Sequence, residues 1–330
     1  MINRTSPSFF VSLDFELMWG VRDKRTIASY GKNILGAREA IPHMLKLFRK
    51  YEVKATWAVV GLLLFDNKKD MLAHFPEQYP TYSQSTLSPY ENSYIETVGD
   101  NEKDDPYHYG LSLAKQIVDC DGMELGSHTF CHYYCLEKGQ NKLQFRADLE
   151  AAIQATQRLT AKQLSLVFPR NQCNLNYMSV CAYLGLRAIR GNEASWIYRE
   201  SAAEDISMIK RGSRLIDAYL NVSGDNGFDL HLEDGIVNVP ASRFLRPYNK
   251  GLRLLESMRI NRIKNGMSMA AKYGKSFHLW WHPHNFGVNI AENLSVLETL
   301  LRHHANLKEK YQVISMTMGE VAGQLGDVVK

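Results

Sequence analysis

Two histidines, His128 and His132, have a spacing that suits metal chemistry. In His128-Thr-Phe-Cys-His132 the H-x3-H spacing places two imidazoles on one side of a helical turn, where they can chelate a divalent metal such as zinc. A nearby carboxylate as third ligand would leave one position open for water, as in catalytic zinc sites. A rival ligand set adds Cys131 and Cys135, although free cysteines are more often small buried apolar residues. We therefore predict a divalent metal site, with zinc as the expected ion.

Two carboxylates, Asp14 and Glu16, follow the apolar run Phe9–Leu13, which is typical of a buried strand. Residues two apart on an extended strand face the same way. One carboxylate can then bind the metal while the other acts as a general base. The spacing alone leaves the two roles interchangeable.

Three further polar residues also follow predicted strands. Arg170 comes after the run Leu164–Phe168, and its fork of donors could fix a carboxylate or orient a catalytic acid. His282 and His284 come after Trp280 and Trp281 and offer an imidazole for general-acid work beside aromatic side chains that keep water out. Either histidine could donate the proton.

The elements that position these residues alternate between strand and helix. An apolar strand before Asp14, a helix over 33–50 and a strand over 54–60 predict a parallel βαβ unit. Seven or eight such units can be counted, ending in a helix over 292–309 and a strand over 311–315. This pattern predicts a single barrel domain over 1–330, with insertions near 66–112 and 196–234. In such a barrel the carboxyl ends of the strands meet at one mouth, where active sites lie.

The composition excludes several classes of protein. With 330 residues, 45% hydrophobic and 22% charged, the chain is an ordinary globular protein, and a net charge of +4 is too small to indicate nucleic acid as a partner. No apolar run is long enough to span a bilayer, and Asp14 and Glu16 interrupt the only candidate signal-peptide core. Five cysteines, an odd number, favour reduced thiols. We expect a cytoplasmic protein without a transmembrane segment.

A basic stretch from Arg243 to Lys275 holds nine Lys or Arg against one acid, Glu256. Apolar residues at helical spacing predict that it packs on the barrel with its charges in solvent. Alternatively, these charges attract a phosphorylated substrate or an anionic membrane surface.

Taken in order, these segments resemble the NodB-like polysaccharide deacetylase family of carbohydrate esterases. The similar segments are Val11–Glu16, Lys54–Gly61, Gly122–His132, Phe168–Arg170, Val237–Pro240 and Leu279–His282. The resemblance implies a distorted (β/α)7 barrel of the NodB-homology type, and a metal-dependent hydrolase that removes acyl groups, usually acetyl, from amino sugars.

The same resemblance implies roles for individual residues. His128 and His132 would bind the metal together with Glu16, and Asp14 aligns best with the general base. Arg170 would orient that base, and His282 would protonate the leaving amine. The family's adjacent aspartates are here Asp14 and Glu16 with Phe15 between them, so the two roles could be exchanged.

Further expectations concern the substrate. In the family that the chain resembles, a motif after the fifth strand usually brings an Asp and a Trp. In this sequence that motif is only partly present, in 192–196. Trp196, Trp281 and His284 are the expected substrate contacts, and a backbone N–H near Tyr133 would hold the oxyanion.

The expected function is deacylation of an amino sugar or glycan precursor, on a phosphorylated carrier, in the biosynthesis of an O-antigen-like surface polysaccharide or lipopolysaccharide. One alternative is an allantoinase-like hydrolase of a small non-sugar amide, whose first motif D-x-E is also similar. Another is a non-catalytic carbohydrate-binding barrel, which would bind sugar without metal or turnover.

Overall fold

A computed structural model describes residues 6–160, 164–199, 202 and 208–328. The ten strands in this part of the chain are β1 (Ser8–Phe15), β2 (Ala55–Val59), β3 (Met123–Ser127), β4 (Ser165–Val167), β5 (Ala188–Arg190), β6 (His231–Glu233), β7 (Ile236–Asn238), β8 (Arg243–Phe244), β9 (Phe277–Trp281) and β10 (Ile314–Met316). Its α-helices are α1 (Ile27–Lys50), α2 (Lys68–Ala73), α3 (Leu111–Val118), α4 (Lys142–Gln157), α5 (Met178–Tyr183), α6 (Met208–Asp217), α7 (Glu256–Lys272), α8 (Ile290–Tyr311) and α9 (Met318–Val328).

The strands form one mostly parallel sheet in the order β6-β7-β5-β4-β3-β2-β1-β9-β8. Only the pair β6 and β7 is antiparallel. Strand β1 is central, because it pairs with β2 on one side, with β9 on the other, and with β10 at its beginning. The carboxyl ends of the parallel strands therefore lie at one face, as the sequence predicts.

Backbone hydrogen bonds close this sheet into a ring through the segment that contains β7 and β8. On one side, Val239 N donates to Ile189 O at 2.9 Å and Ala241 N donates to Gly191 O at 2.8 Å. On the other side, Ser242 N donates to His278 O at 2.9 Å. One continuous segment thus joins β5 to β9, and the predicted distorted (β/α)7 barrel is confirmed.

Side-chain alternation along β1 separates the barrel interior from the helical layer. Leu13 and Phe15 belong to the large apolar cluster between the sheet and the helices, whereas Phe10 belongs to a second cluster with Met318 of α9. Ser12 and Asp14 face the interior, where they contact Arg190. The barrel interior is therefore apolar around Phe10 and polar from Ser12 to the mouth.

Several element boundaries differ from the predictions. Helix α1 begins six residues earlier than predicted, because Thr26 and Ser29 form a capping box at its start. The helix expected over the basic stretch begins at Glu256 after a 3₁₀ turn, and the last strand begins at Ile314 rather than 311.

The predicted insertion near 66–112 contains little regular structure, whereas the one near 196–234 contains α6 and β6. The one near 66–112 holds α2 and two 3₁₀ turns and runs to the start of α3. Of the one near 196–234, residues 200, 201 and 203–207 lie outside the described residues. No helix in the described part of the chain is long and apolar enough to cross a membrane.

Candidate active site

Three side chains of types that can bind a metal ion meet at the mouth of the barrel. Glu16 follows β1, and His128 and His132 follow β3. Glu16 Oε2 lies 2.9 Å from His132 Nε2 and 3.3 Å from His128 Nε2. One ligand atom from each residue can be chosen so that all three lie within 4.8 Å of one another, and all three side chains are buried. This is a suitable donor set for a divalent metal that keeps further positions open.

The hydrogen bond of His128 and the pKa of His132 suit metal binding. His128 Nδ1 lies 2.8 Å from Val167 O, so that nitrogen carries the proton and Nε2 presents a lone pair. This buried Nε2 has no hydrogen bond of good geometry within the described residues. Burial lowers the pKa of His132 to about 4, which keeps its ring neutral. A buried nitrogen lone pair that accepts no hydrogen bond is suited to bind a metal cation.

Glu16 is ionised in this environment. Burial alone would raise its pKa, but the nearby His282 holds the pKa of Glu16 well below its usual range. A carboxylate rather than a carboxylic acid therefore faces His128 and His132, as metal ligation requires.

The loop that carries the two histidines is not the helical turn that the H-x3-H spacing predicts. Thr129 and His132 both have φ of +63°, in the left-handed region. The side chain of Asp148 from α4 accepts hydrogen bonds from the backbone of Phe130 at 2.8 Å and Cys131 at 3.1 Å. The imidazoles therefore converge because tertiary contacts hold an irregular loop.

The backbone N–H of Tyr133, which was expected to hold the oxyanion, is already hydrogen-bonded within this loop. Tyr133 N donates to Thr129 Oγ1 at 2.7 Å. That N–H is therefore not free to bind a substrate oxygen.

Asp14 is held by an arginine that the sequence motifs do not indicate. Arg190, the last residue of β5, donates to Asp14 Oδ1 at 2.6 Å and to Oδ2 at 2.8 Å. Burial alone would raise the pKa of Asp14, but the Arg190 guanidinium outweighs it and lowers the pKa. The only feature of the sequence that could have indicated Arg190 as the partner of Asp14 is its position at the end of an apolar strand.

Arg170 does not make the expected contact with the base. Its guanidinium pairs with Asp23 and lies 4.1 Å from the ring centroid of Tyr134. Its backbone has φ of +54°, which turns the side chain toward the mouth. The expectation that Arg170 orients Asp14 is corrected, because Arg190 occupies both carboxylate oxygens.

The two late histidines lie beside both carboxylates. His282 Nε2 is 3.6 Å from Asp14 Oδ2 and 3.7 Å from Glu16 Oε1, and its side chain is 23% exposed. His284 Nε2 is 3.8 Å from Glu16 Oε1, and this side chain is buried. Of the two imidazoles, that of His282 is the more accessible from the mouth.

The tryptophans of β9 face opposite sides of the strand. Trp281 packs against Phe48 and stacks on Phe286 in the layer outside the barrel. Trp280 lies toward the mouth, 4.2 Å from the guanidinium of Arg190 and beside Phe244. The expected substrate contact of Trp281 is therefore corrected, since the side of β9 that faces the mouth carries Trp280.

Trp196 is 55% exposed on a 3₁₀ turn, and its contact with substrate stays a prediction. Cys131 and Cys135 are buried free thiols, and burial raises the pKa of each. Among the described residues, neither thiol joins the cluster of metal donors. The rival ligand set is thus not formed.

A cavity of about 310 Å³ opens over the cluster. It is lined by Glu16, His132, Arg170, Phe244, His282 and His284, together with residues of 20–30 and Asn285. A substrate can therefore reach the metal donors and His282 from the same side.

Comparison with known proteins agrees with this fold. The sequence profile of the family described as polysaccharide deacetylase matches residues 31–189. A protein of Mycobacterium smegmatis assigned to the polysaccharide deacetylases is similar in structure, with a TM-score of 0.61 and 12% identity over 98% of this chain and 91% of that one. A protein of Pseudomonas aeruginosa with the same assignment has a TM-score of 0.54 and 12% identity, over 97% and 90%.

The structure of Puue allantoinase is also similar, with a TM-score of 0.55 and 10% identity over 98% of this chain and 91% of that one. At such low identities the likeness of these structures concerns the fold alone. No curated protein matches the sequence.

The polysaccharide deacetylases are hydrolases that act on carbon–nitrogen bonds of amides. Residues 31–189 match the polysaccharide deacetylase family, which is the family that the motifs resemble.

Proposed function

We propose that this protein is a metal-dependent hydrolase that removes an N-acyl group, normally acetyl, from an amino sugar. The observation that carries the proposal is the convergence of Glu16, His128 and His132 at the barrel mouth. There Glu16, His132 and His282 line one cavity, and Asp14 Oδ2 lies 3.6 Å from His282 Nε2. Zinc is the proposed ion, because two imidazoles and one carboxylate are ligands that zinc commonly uses in catalytic sites. Such an ion would polarise the amide carbonyl and lower the pKa of water at the site.

Asp14 is the proposed general base. Its carboxylate is ionised and buried, and Arg190 fixes its orientation through two parallel hydrogen bonds. Each carboxylate oxygen has a second lone pair, so Asp14 can still accept a proton from water beside Glu16. Glu16 is then the metal ligand, because Glu16 rather than Asp14 contacts both imidazoles.

His282 is the proposed general acid. Its partial exposure lets it reach the amide nitrogen of a bound substrate, while Asn285 Nδ2 lies 3.3 Å from its Nδ1 and fixes the ring. His284 is buried against Glu16 and Tyr30, so it packs the site rather than meeting the leaving amine.

The proposed substrate is an amino-sugar precursor of a surface polysaccharide, handled in the cytoplasm. The five thiols are free, as a cytoplasmic location predicts. A cytoplasmic enzyme would act on the activated precursor rather than on the finished polymer.

Elemental analysis tests the metal site. We expect about one equivalent of zinc or a similar ion per chain, and its loss in His128→Ala/His132→Ala. His303→Ala is the matched control, because this partly buried histidine hydrogen-bonds Ser268 far along the chain from the cluster. A variant that keeps full metal content would contradict the assignment of His128 and His132.

Substitution of the base tests the chemistry. We expect Asp14→Asn to retain the metal and to lose about 10²- to 10⁴-fold in kcat on N-acetylated amino sugars, as the loss of a general base predicts. Full activity of this variant would show that Asp14 is not the base. Turnover of allantoin but not of N-acetylated sugars would instead identify the small-amide hydrolase, and sugar binding without turnover would identify a binding protein.

A further inference from the structure

A second cavity, of about 220 Å³, adjoins the cavity over the metal donors. Arg170 and Phe244 line both cavities. The second cavity is smaller than the roughly 300 Å³ or more of clefts that enclose a whole small molecule. It therefore suits one group of a substrate whose reacting part lies at the metal donors.

This second cavity is lined mainly by cationic side chains, and we call it the arginine cavity. Its arginines come from different parts of the chain and are Arg170, Arg199, Arg214, Arg243 and Arg246. Asn171, Asn192, Glu193, Tyr198, Ala218 and Trp280 complete it together with Phe244. Five guanidinium groups around so small a volume would repel one another unless anions balance them.

Carboxylates of the protein balance part of this charge. Asp217 pairs with Arg243 and also lies 3.6 Å from Arg262, and Asp23 pairs with Arg170. Each of these two carboxylates therefore already forms an ion pair with one of the arginines of the cavity.

Glu193 is the acidic residue that lines the cavity itself, and it is buried. Burial raises the pKa of this carboxyl group.

Two of the arginines have no acidic partner in the part of the chain that the structure describes. Arg214 donates through Nε to the backbone oxygen of Ile197 at 2.7 Å and lies over the ring of Tyr198. Arg246 is half-buried near Arg214 and Arg259, and burial together with these cations lowers its pKa. In addition, Arg170 Nη1 is buried without a hydrogen-bond partner among the described residues.

From this charge distribution we infer that the arginine cavity binds a phosphate or diphosphate group attached to the amino sugar. Two cations without acidic partners, Arg214 and Arg246, match the double negative charge of such a group, and planar guanidinium forks suit its oxygens. The inference rests on the proposed function for the position of the sugar, because Arg170 and Phe244 then separate the acylated amine from the anion. The substrate is accordingly an activated sugar rather than a neutral polymer.

Calorimetric binding of diphosphates tests the inference without any catalytic step. Uridine diphosphate is the probe for a nucleotide-linked sugar, geranyl diphosphate is the probe for a lipid-linked sugar, and uridine is the uncharged control. We expect the full-length protein to bind at least one diphosphate and not uridine. We expect Arg246→Ala and Arg214→Ala each to weaken this binding at least tenfold, with Arg246→Lys in between.

Two control variants test whether the diphosphate binds in the arginine cavity. Arg253→Ala removes an exposed arginine of the same basic stretch and is expected to leave diphosphate affinity unchanged. His128→Ala/His132→Ala is expected to bind diphosphate as the unaltered protein does, because the anion does not sit on the metal. The diphosphate that binds more tightly then identifies whether the sugar is linked to a nucleotide or to a lipid.

The inference is overturned if neither diphosphate binds at millimolar concentration, or if Arg246→Ala and Arg214→Ala bind as tightly as the unaltered protein. Loss of binding in the double histidine variant would also overturn it, since the anion would then depend on the metal site. These outcomes are independent of the proposed deacylation. Diphosphate binding without hydrolysis of any N-acyl sugar would disprove that function but leave the anion subsite in place.

Discussion

At the scale of single residues, Asp14 and Glu16 have different partners although only Phe15 separates them. Asp14 still lies in β1 and faces the barrel interior, where Arg190 binds it. Glu16 lies beyond the strand end, with φ of −128° and ψ of −17°, and its side chain reaches His132. The change of backbone conformation after Phe15 therefore separates the proposed metal ligand from the proposed base.

The different partners of Arg190 and Arg170 predict different kinetic effects. We expect Arg190→Lys to lose on the order of 10²-fold in kcat with unchanged metal content, since a single ammonium cannot hold both oxygens of Asp14. Arg170→Lys should mainly raise KM, because this residue lines the substrate cavity and pairs with Asp23. Steady-state kinetics on correctly folded variants checks both, and a loss of kcat confined to Arg170→Lys would reverse the two assignments.

At the scale of elements, the strands sort side chains between the barrel mouth and the helical layer. In β9, Trp281 packs with Phe48 of α1, whereas Trp280 covers Arg190. The register of β9 against β1 places Ser12 opposite Trp280 and Leu13 opposite Trp281. The polar and apolar faces of the two strands therefore coincide.

The two tryptophans of β9 make a matched pair for mutation. Trp281→Ala should lower the free energy of unfolding by about 3–5 kcal/mol, because it leaves a cavity in the apolar layer. Trp280→Ala should cost less stability and reduce kcat/KM, because it exposes the Asp14–Arg190 pair to water. Urea unfolding and kinetics together check this, and equal losses of stability would contradict the assigned faces.

At the scale of the whole molecule, one segment closes the barrel and also borders the arginine cavity. Arg243 of β8 pairs with Asp217 at the end of α6, and Arg262 of α7 approaches the same carboxylate. Asp217 also accepts hydrogen bonds from Tyr198 and the backbone of Ser223. One buried carboxylate therefore links α6, β8 and α7 around the closing segment.

Asp217 should make stability depend on pH. Burial alone would raise its pKa, but Arg243 and the hydrogen bonds from Ser223 lower the pKa from 3.8 to about 2. A carboxyl group with a lowered pKa in the folded state stabilises the fold above the unfolded value, and this contribution is lost as the pH falls from about 4 to about 2. We expect Asp217→Asn to be less stable at pH 6, with a smaller difference from the unaltered protein at pH 3.

Urea unfolding at several pH values measures this difference. Asp229→Asn is the control, because Asp229 is exposed and lies 3.7 Å from Lys275, so it should change stability little at any pH. A difference between Asp217→Asn and the unaltered protein that stays constant from pH 6 to pH 3 would contradict the assigned pKa.

The sequence by itself determined the features that depend on local pattern. Apolar runs predict the strands that lead to Asp14 and His282, and the strand–helix alternation predicts their arrival at one mouth of a barrel. The H-x3-H spacing and the first motif likewise predict the three metal donors. The predictions of the strands and the barrel are confirmed because hydrophobic periodicity is a property of neighbouring residues. The metal-binding role of the three side chains stays a prediction.

Only the tertiary structure decided which distant side chains meet. Arg190 and Asp14 are 176 residues apart, so no local pattern distinguishes Arg190 from Arg170 as the partner of the base. The face of β9 that reaches the mouth depends on strand register, which sends Trp281 outward and Trp280 inward. The arginine cavity likewise depends on contacts between remote segments, because its five guanidinium groups are brought together only when the barrel closes.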